Sequence, residues 1–174
     1  MDCINNLSRM VVKIQRAPHF LQSWLLSQLF GRAVKFAGTA GICIRQLNFQ
    51  QAVLQQSNHR KVQNHIGSVH AAAMALLGES ASGFLVGMHV PDDRLPLLKS
   101  MKLDYVKRAS GQLTATVSLT TEQIQYIRTH EKGELTLQVQ ICDQVGVVPV
   151  IAEYVWAWVP RVRAATKPVA GQPI

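Results

Sequence analysis

Carboxylates are scarce in this chain. Ten Asp and Glu stand against eighteen Lys and Arg in 174 residues, a formal charge of +8. That excess favours an anionic partner, whether a nucleic acid, an anionic membrane surface or a phosphorylated small molecule. Aromatic residues are also few, at 6%. With no recognition motif beside them, they argue against a nucleic-acid partner. Only three cysteines occur, Cys3, Cys43 and Cys142. They are far apart, odd in number and in no metal-ligand spacing, so neither a disulfide framework nor a bound metal is expected. Free thiols in a reducing compartment, the cytoplasm, are. Long apolar runs are missing too. The stretch Phe20–Phe30 is broken by Gln22, Ser23, Ser27 and Gln28, and no small-residue cleavage site follows it. It is neither a signal peptide nor the roughly 20-residue run that a membrane span needs.

What is present is enough for a core. Apolar residues make up 48% of the chain and charged residues 16%, which excludes a mostly disordered protein and suits one domain of ordinary size. Residues 6 to 36 carry two helical stripes. Leu7, Met10, Val11 and Ile14 form the first, and Leu21, Trp24, Leu25 and Leu29 form the second beyond Pro18. The second stripe either packs on the domain or lies on lipid, helped by Arg16, Arg32 and Lys35. Gly38 and Gly41 then break the helical pattern, which divides the chain into a helical segment (1–38), a main domain (39–162) and a tail (163–174). A single extended segment is expected over 42–56, with one bulge to explain the switch in parity between Ile42/Ile44 and Leu47/Phe49.

The strongest helix spans about 68–87, rich in Ala and Leu, with Ser68 as its expected cap. One face carries Val69, Ala73, Leu76, Leu77 and Phe84. The other carries the small or polar Ala71, Ala72, Ala75, Glu79 and Ser82. Four strands follow, the first three with alternating patterns. Hairpin turns are expected at Ala109–Gly111 and Asp143–Gly146, and a helical turn capped by Thr121 over 121–130. The last run, 147–159, is apolar on both faces, as for a strand buried on both sides or placed at a subunit interface. One helix cannot cover both faces of a five-stranded antiparallel sheet, so in this α+β arrangement the sheet either curls around the helix or buries its outer face elsewhere.

Three polar residues stand out around that helix. Glu79 sits in an apolar helix, where a carboxylate needs a partner or else becomes a candidate general base. His70 opens the helix and suits either a cap or a donor. Asn64 precedes it in a turn. A helix N-terminus presents unpaired N–H groups and partial positive charge, a ready binder for an oxyanion. Glu79 lies eight residues beyond Ala71. At 1.5 Å per residue that is roughly 12 Å, too far to reach the same carbonyl in one chain.

Together Asn64, His70 and Glu79 resemble the motif of the hotdog-fold thioesterases of the phenylacetate and 4-hydroxybenzoyl-CoA type. In that family a turn Asn is followed after six residues by His, and the His after nine by Asp or Glu. The segment 103–116 also resembles the family's second hairpin, and the resemblance covers about residues 40–160. The N-terminal helices are similar to those of a less characterised hotdog branch, the DUF4442 type. The resemblance implies a long central helix wrapped by a curved antiparallel sheet of five to six strands. It implies a homodimer or a dimer of dimers, acting on acyl-CoA or an acyl carrier thioester, with no cofactor beyond the coenzyme A of the substrate. Glu79, Asn64 and His70 would be catalytic. Gly67, Ala71 and Ala72 would line the oxyanion and substrate site, and Lys107, Arg108, Arg60 and Lys61 would meet the coenzyme A phosphates. The sequence departs from the family in one respect: Ala71 and Ala72 stand where two glycines are preferred. That keeps a second class open, a non-catalytic acyl-CoA or fatty-acyl binder. The His-Phe-Pro-Gly and Asp-x-Asn-Pro-x-His signatures of hotdog dehydratases and hydratases do not occur.

Overall fold

The structure is a computed structural model that describes residues 3–161. The tail expected beyond residue 162 lies outside the described residues.

Three helices open the chain, α1 (Asn6–Gln15), α2 (His19–Ala33) and α3 (Lys35–Ala40). The sequence suggested two, because Val34 interrupts the helical pattern without a proline or glycine to mark the break. Asn5 caps α1, its Oδ1 accepting the Ser8 N–H at 2.7 Å. The Asn5 Nδ2 donates to the carbonyls of Gly87 and Val90, at the far end of the central helix. The Gly87 carbonyl lies in the last turn of that helix and has no partner within it, so one residue finishes two helix ends.

Strands β1 (Cys43–Leu47) and β2 (Gln51–Gln56) form a tight antiparallel hairpin rather than one long strand. Asn48 makes the turn, its Oδ1 accepting the N–H groups of Gln50 and Gln51. The bulge lies within β1, at the register shift between Ile44 and Gln46. It lets Ile44 and Leu47, three residues apart, both face the core.

The central helix α4 (Ala71–Gly87) follows a short 3₁₀ turn, and then come β3 (Arg94–Tyr105), β4 (Leu113–Ser118), α5 (Thr121–Thr129), β5 (Gly133–Asp143) and β6 (Val150–Pro160). Thr120, one residue before the expected Thr121, caps α5 in a reciprocal pair with Gln123. The six strands lie in the order β1-β2-β4-β5-β6-β3, and every pairing is antiparallel. The β5–β6 hairpin forms as expected, with Asp143 Oδ1 accepting the N–H groups of Val145 and Val147 and Gly146 at φ 82°. Ala109–Gly111, in contrast, is no hairpin turn. β3 pairs with β6 and β4 with β2 and β5, so this segment carries the chain from the sheet edge to its middle.

α4 packs against β2, β4, β5, β6 and β3, five neighbouring strands. Five strands at about 4.8 Å spacing span roughly 19 Å, wider than a helix of about 10–12 Å, so the sheet must curl around it. This is the hotdog architecture. Two glycines of α4 admit aromatic side chains from β6. A Cβ at Gly78 would collide with the Tyr154 ring and hydroxyl, and one at Gly83 would come within 2.6 Å of the Trp156 ring. Tyr154 donates to the Ala75 carbonyl at 2.9 Å, and Trp156 Nε1 to Ser82 Oγ at 2.9 Å. Ser82 is therefore fully buried toward the sheet, not on the outer small face. β6 alternates, with Val150, Ala152, Tyr154, Trp156 and Trp158 inward, and Ile151 and Val159 exposed outward.

Candidate active site

The residues singled out around α4 fall into two groups, one at its N-terminus and one a little over two turns along. Asn64 builds the approach. Its Oδ1 accepts the N–H groups of Ile66 and Ser68, each at 3.1 Å, and its backbone pairs with Ser68 and Gly67. Gly67 sits at φ 75°, which favours glycine, and its N–H is committed to the Asn64 carbonyl. Gly67 therefore shapes the turn and offers no amide to a ligand. The Asn64 Nδ2 remains as the donor of that side chain.

His70, not Ser68, caps the helix. Its Nδ1 accepts the Ala72 N–H at 3.0 Å. A backbone N–H can only donate, so Nδ1 is the acceptor and the neutral ring carries its proton on Nε2. His70 therefore presents a donor to the surface, not a base. Ala72's N–H is used by this cap, and Ala73's bonds the His70 carbonyl. The Ala71 N–H meets no acceptor among the described residues. Of the two expected oxyanion amides, one is open and one is occupied. Tyr105, at the end of β3, donates to the Ala71 carbonyl at 2.8 Å and closes this end of the site.

Glu79 lies half-buried on the outer face of α4, with Ala72, Ala75 and Leu76. It forms no ion pair among the described residues. Burial pushes its carboxyl above the ordinary carboxylate range, outweighing the opposing pull of the Ser80 hydroxyl. It lines an open, mostly apolar cleft of about 510 Å³ with Val34, Phe36, Ala75, Leu98 and Met101. A register shift between Leu98 and Ser100 in β3 brings Leu98 and Met101 to the same, concave face. A smaller hollow of about 190 Å³ lies at the helix N-terminus, lined by Lys61, Gln63 and His70 among others. The two share Phe36, Ala72 and Leu76, so they adjoin along one side of α4.

The basic candidates divide. Lys61 lines the smaller hollow. Arg108 reaches the Asn64 turn, its guanidinium near Ser68 Oγ at 3.5 Å and the Ile66 carbonyl at 3.4 Å. Arg60 and Lys107 are exposed on the neighbouring 3₁₀ turn and on the loop after β3. The sequence reading missed Phe36, Val34 and Tyr105. The first two come from the helical segment set apart from the main domain. The only signal was an apolar Phe beside Gly38 in a short, weakly patterned stretch.

A single helix cradled by a curled antiparallel sheet, with a half-buried carboxylate in an apolar cleft beside that helix, places the protein in the hotdog class. Within it, the chain belongs to the family DUF4442, a domain of unknown function, whose model matches residues 22–159. Solved structures agree on the fold. PA5026 of Pseudomonas aeruginosa, a protein of unknown function named a probable thioesterase, is 25% identical, with a TM-score of 0.71 over 79% of this chain and 95% of that one. The thioesterase HI1161 of Haemophilus influenzae is 13% identical, with a TM-score of 0.64 over 81% of this chain and 92% of that one. Among curated proteins, none matches the sequence.

Proposed function

We propose that this protein hydrolyses acyl thioesters, of coenzyme A or of an acyl carrier, at a site completed by a second copy of the chain. One observation carries the reading: Glu79 is a carboxylate without an ionic partner among the described residues, held in an apolar cleft beside an edge strand that, among those residues, pairs on one side only. The thioesterase names of the structural neighbours support the same chemistry.

The rise along α4 separates Glu79 from its own helix start by roughly 12 Å. A second α4 running antiparallel brings its Glu79 to the first helix's N-terminus. β3 provides the means: it is twelve residues long, lies at the sheet edge and exposes Leu95, Leu97, Met101 and Tyr105. An edge of that length and composition invites pairing. In the reaction, Glu79 of the second copy takes a proton from water, and the water oxygen bonds to the thioester carbonyl carbon. The Ala71 N–H and His70 Nε2–H hold the oxyanion, and Asn64 Nδ2 orients the substrate. The carbon–sulfur bond then breaks, giving a carboxylic acid and a thiol that receives the proton. The acyl group occupies the cleft between Phe36, Leu98 and Met101, and Lys61 and Arg108 face the coenzyme A phosphates.

A second reading, an acyl binder without turnover, is favoured by the commitment of the Ala72 N–H to His70, which leaves one backbone amide for the oxyanion. Thiol release from a panel of acyl-CoAs decides between them. Hydrolysis that falls about 10²–10⁴-fold in Glu79→Gln supports the enzyme. Ligand binding with no thiol release removes it.

A further inference from the structure

Between Asp2 and Glu79 the chain has no Asp or Glu, against eight Lys and Arg. This half of the protein contains α1–α3, and its outer surface is not only basic. Pro18, His19, Phe20 and Leu21, at the α1–α2 corner, are consecutive exposed residues. Phe20 is 79% exposed and Trp24, one turn on, 59%. Leu21, Trp24, Gln28 and Arg32 recur at helical spacing, opposite the face of α2 that holds Ser23, Leu26, Ser27 and Phe30. That inner face is spent on β1, through Ser23 Oγ to the Ile44 carbonyl and the Ile44 N–H to Ser27 Oγ. Lys13 and Arg16 on α1, and Arg32 and Lys35 beyond Trp24, are exposed and in no ion pair among the described residues. Arg32 and Lys35 flank an open hollow of about 560 Å³ with Gln28 and Thr39, wide enough for a phosphate headgroup. α2 packs on β1, at the opposite end of the strand order from β3.

We infer that the α1–α2 corner and the outer face of α2 dock on an anionic lipid bilayer. Phe20, Leu21 and Trp24 enter the interface, and Lys13, Arg16, Arg32 and Lys35 meet the headgroup phosphates. The charge pattern is what selects the partner: exposed aromatics flanked by cations, with no carboxylate on these helices, match a surface that is negative outside and apolar beneath. No helix among the described residues is long and apolar enough to cross a membrane, so the contact is peripheral. The inference does not depend on the hydrolase reading.

Trp24 is its own reporter, because Trp156 and Trp158 are buried. The test mixes the full chain with vesicles of equimolar phosphatidylglycerol and phosphatidylcholine, or of phosphatidylcholine alone. Trp24 emission is expected to shift to the blue, and the protein to sediment, with the first vesicle only. Both effects should fade as salt is raised. Phe20→Ser with Leu21→Ser keeps the reporter and should weaken partitioning about tenfold or more, as should Arg16→Gln with Arg32→Gln. Circular dichroism and Tm identify variants that retain the fold, and these exposed positions give two independent pairs. Absent sedimentation, equal binding to neutral vesicles, or parental binding by both folded pairs overturns the inference. So does a blue shift that grows with protein concentration without lipid, which marks a second copy as the occupant. A shift with a purified acidic acyl carrier protein and none with vesicles also overturns it.

Discussion

The two edges of the sheet have opposite fates. β1 is five residues long, and its backbone is met from within the chain by Ser23, Ser27 and Gln15, the last donating to the Leu47 carbonyl at 2.7 Å. β3 is twelve residues long and pairs only with β6, leaving its outer edge without a strand among the described residues. A buried backbone group without a partner costs free energy, which the three side chains on β1 avoid, whereas the mostly exposed β3 leaves its edge groups to water or to a second strand. Glu79, which has no ionic partner among the described residues, lies on the β3 side, in the cleft with Leu98 and Met101.

That contrast predicts that changes near the open edge act on assembly and turnover, and changes at the closed edge on the stability of the single chain. The largest effect is expected at Glu79. Beyond its loss of hydrolysis, Glu79→Gln should raise the Tm at neutral pH. A carboxyl whose folded pKa is raised disfavours the folded state once it ionises, so the gain is present above the raised pKa. It should vanish as the pH falls below the ordinary carboxylate range, a dependence that melting curves across pH would test. Next is Met101→Glu, which places a second carboxylate in the Glu79 cleft. Sedimentation velocity should show monomer at concentrations where the parent is a dimer, with thioester hydrolysis down roughly tenfold or more. A dimer that survives intact would remove β3 as the joining edge.

At the closed end His89 is fully buried. Arg128 Nε donates to its Nδ1 at 3.2 Å, so its proton is on Nε2, which donates to the Phe49 carbonyl at 2.7 Å. Burial above all, aided by the Arg128 charge and opposed by the Phe49 carbonyl, lowers its pKa to about 4. The unfolded chain binds this proton near the ordinary value of 6.5, while the folded chain resists it until about 4. Stability should therefore fall as the pH drops through that window, and denaturant titrations of His89→Gln should lose that part of the slope. The smallest change is Ser27→Ala, which strips the Ile44 N–H of its acceptor. A loss of about 1 kcal/mol in urea unfolding, with turnover unaltered, is expected.

Much of this was legible beforehand, and the failures have physical causes. The 3.6 and 2.0 periodicities marked α4 and the strands after it, and the spacing of Asn64, His70 and Glu79 pointed to a candidate site around that helix. The β1–β2 hairpin was hidden because Asn48 turns the chain through its side chain, with no glycine to announce it. Ala109–Gly111 resembles a hairpin turn because turn chemistry is local, whereas the partners of β3 and β4 are chosen elsewhere in the chain. Ser82 looked outward because a serine on a helix gives no sign that a tryptophan from β6 will bond it. Phe36 was set apart with the N-terminal helices, and only packing carries it to the cleft.

The amino-acid sequence alone settled where α4 and the alternating strands after it lie, the small and polar character of one side of α4, and the excess of positive charge. These follow from spacing and composition, which act over a few residues at a time. Only the tertiary structure decided which edge of the sheet is sealed, which amide of α4 stays open, and which side chains gather around Glu79. Those depend on contacts between residues dozens of positions apart, where pattern in the chain carries no address.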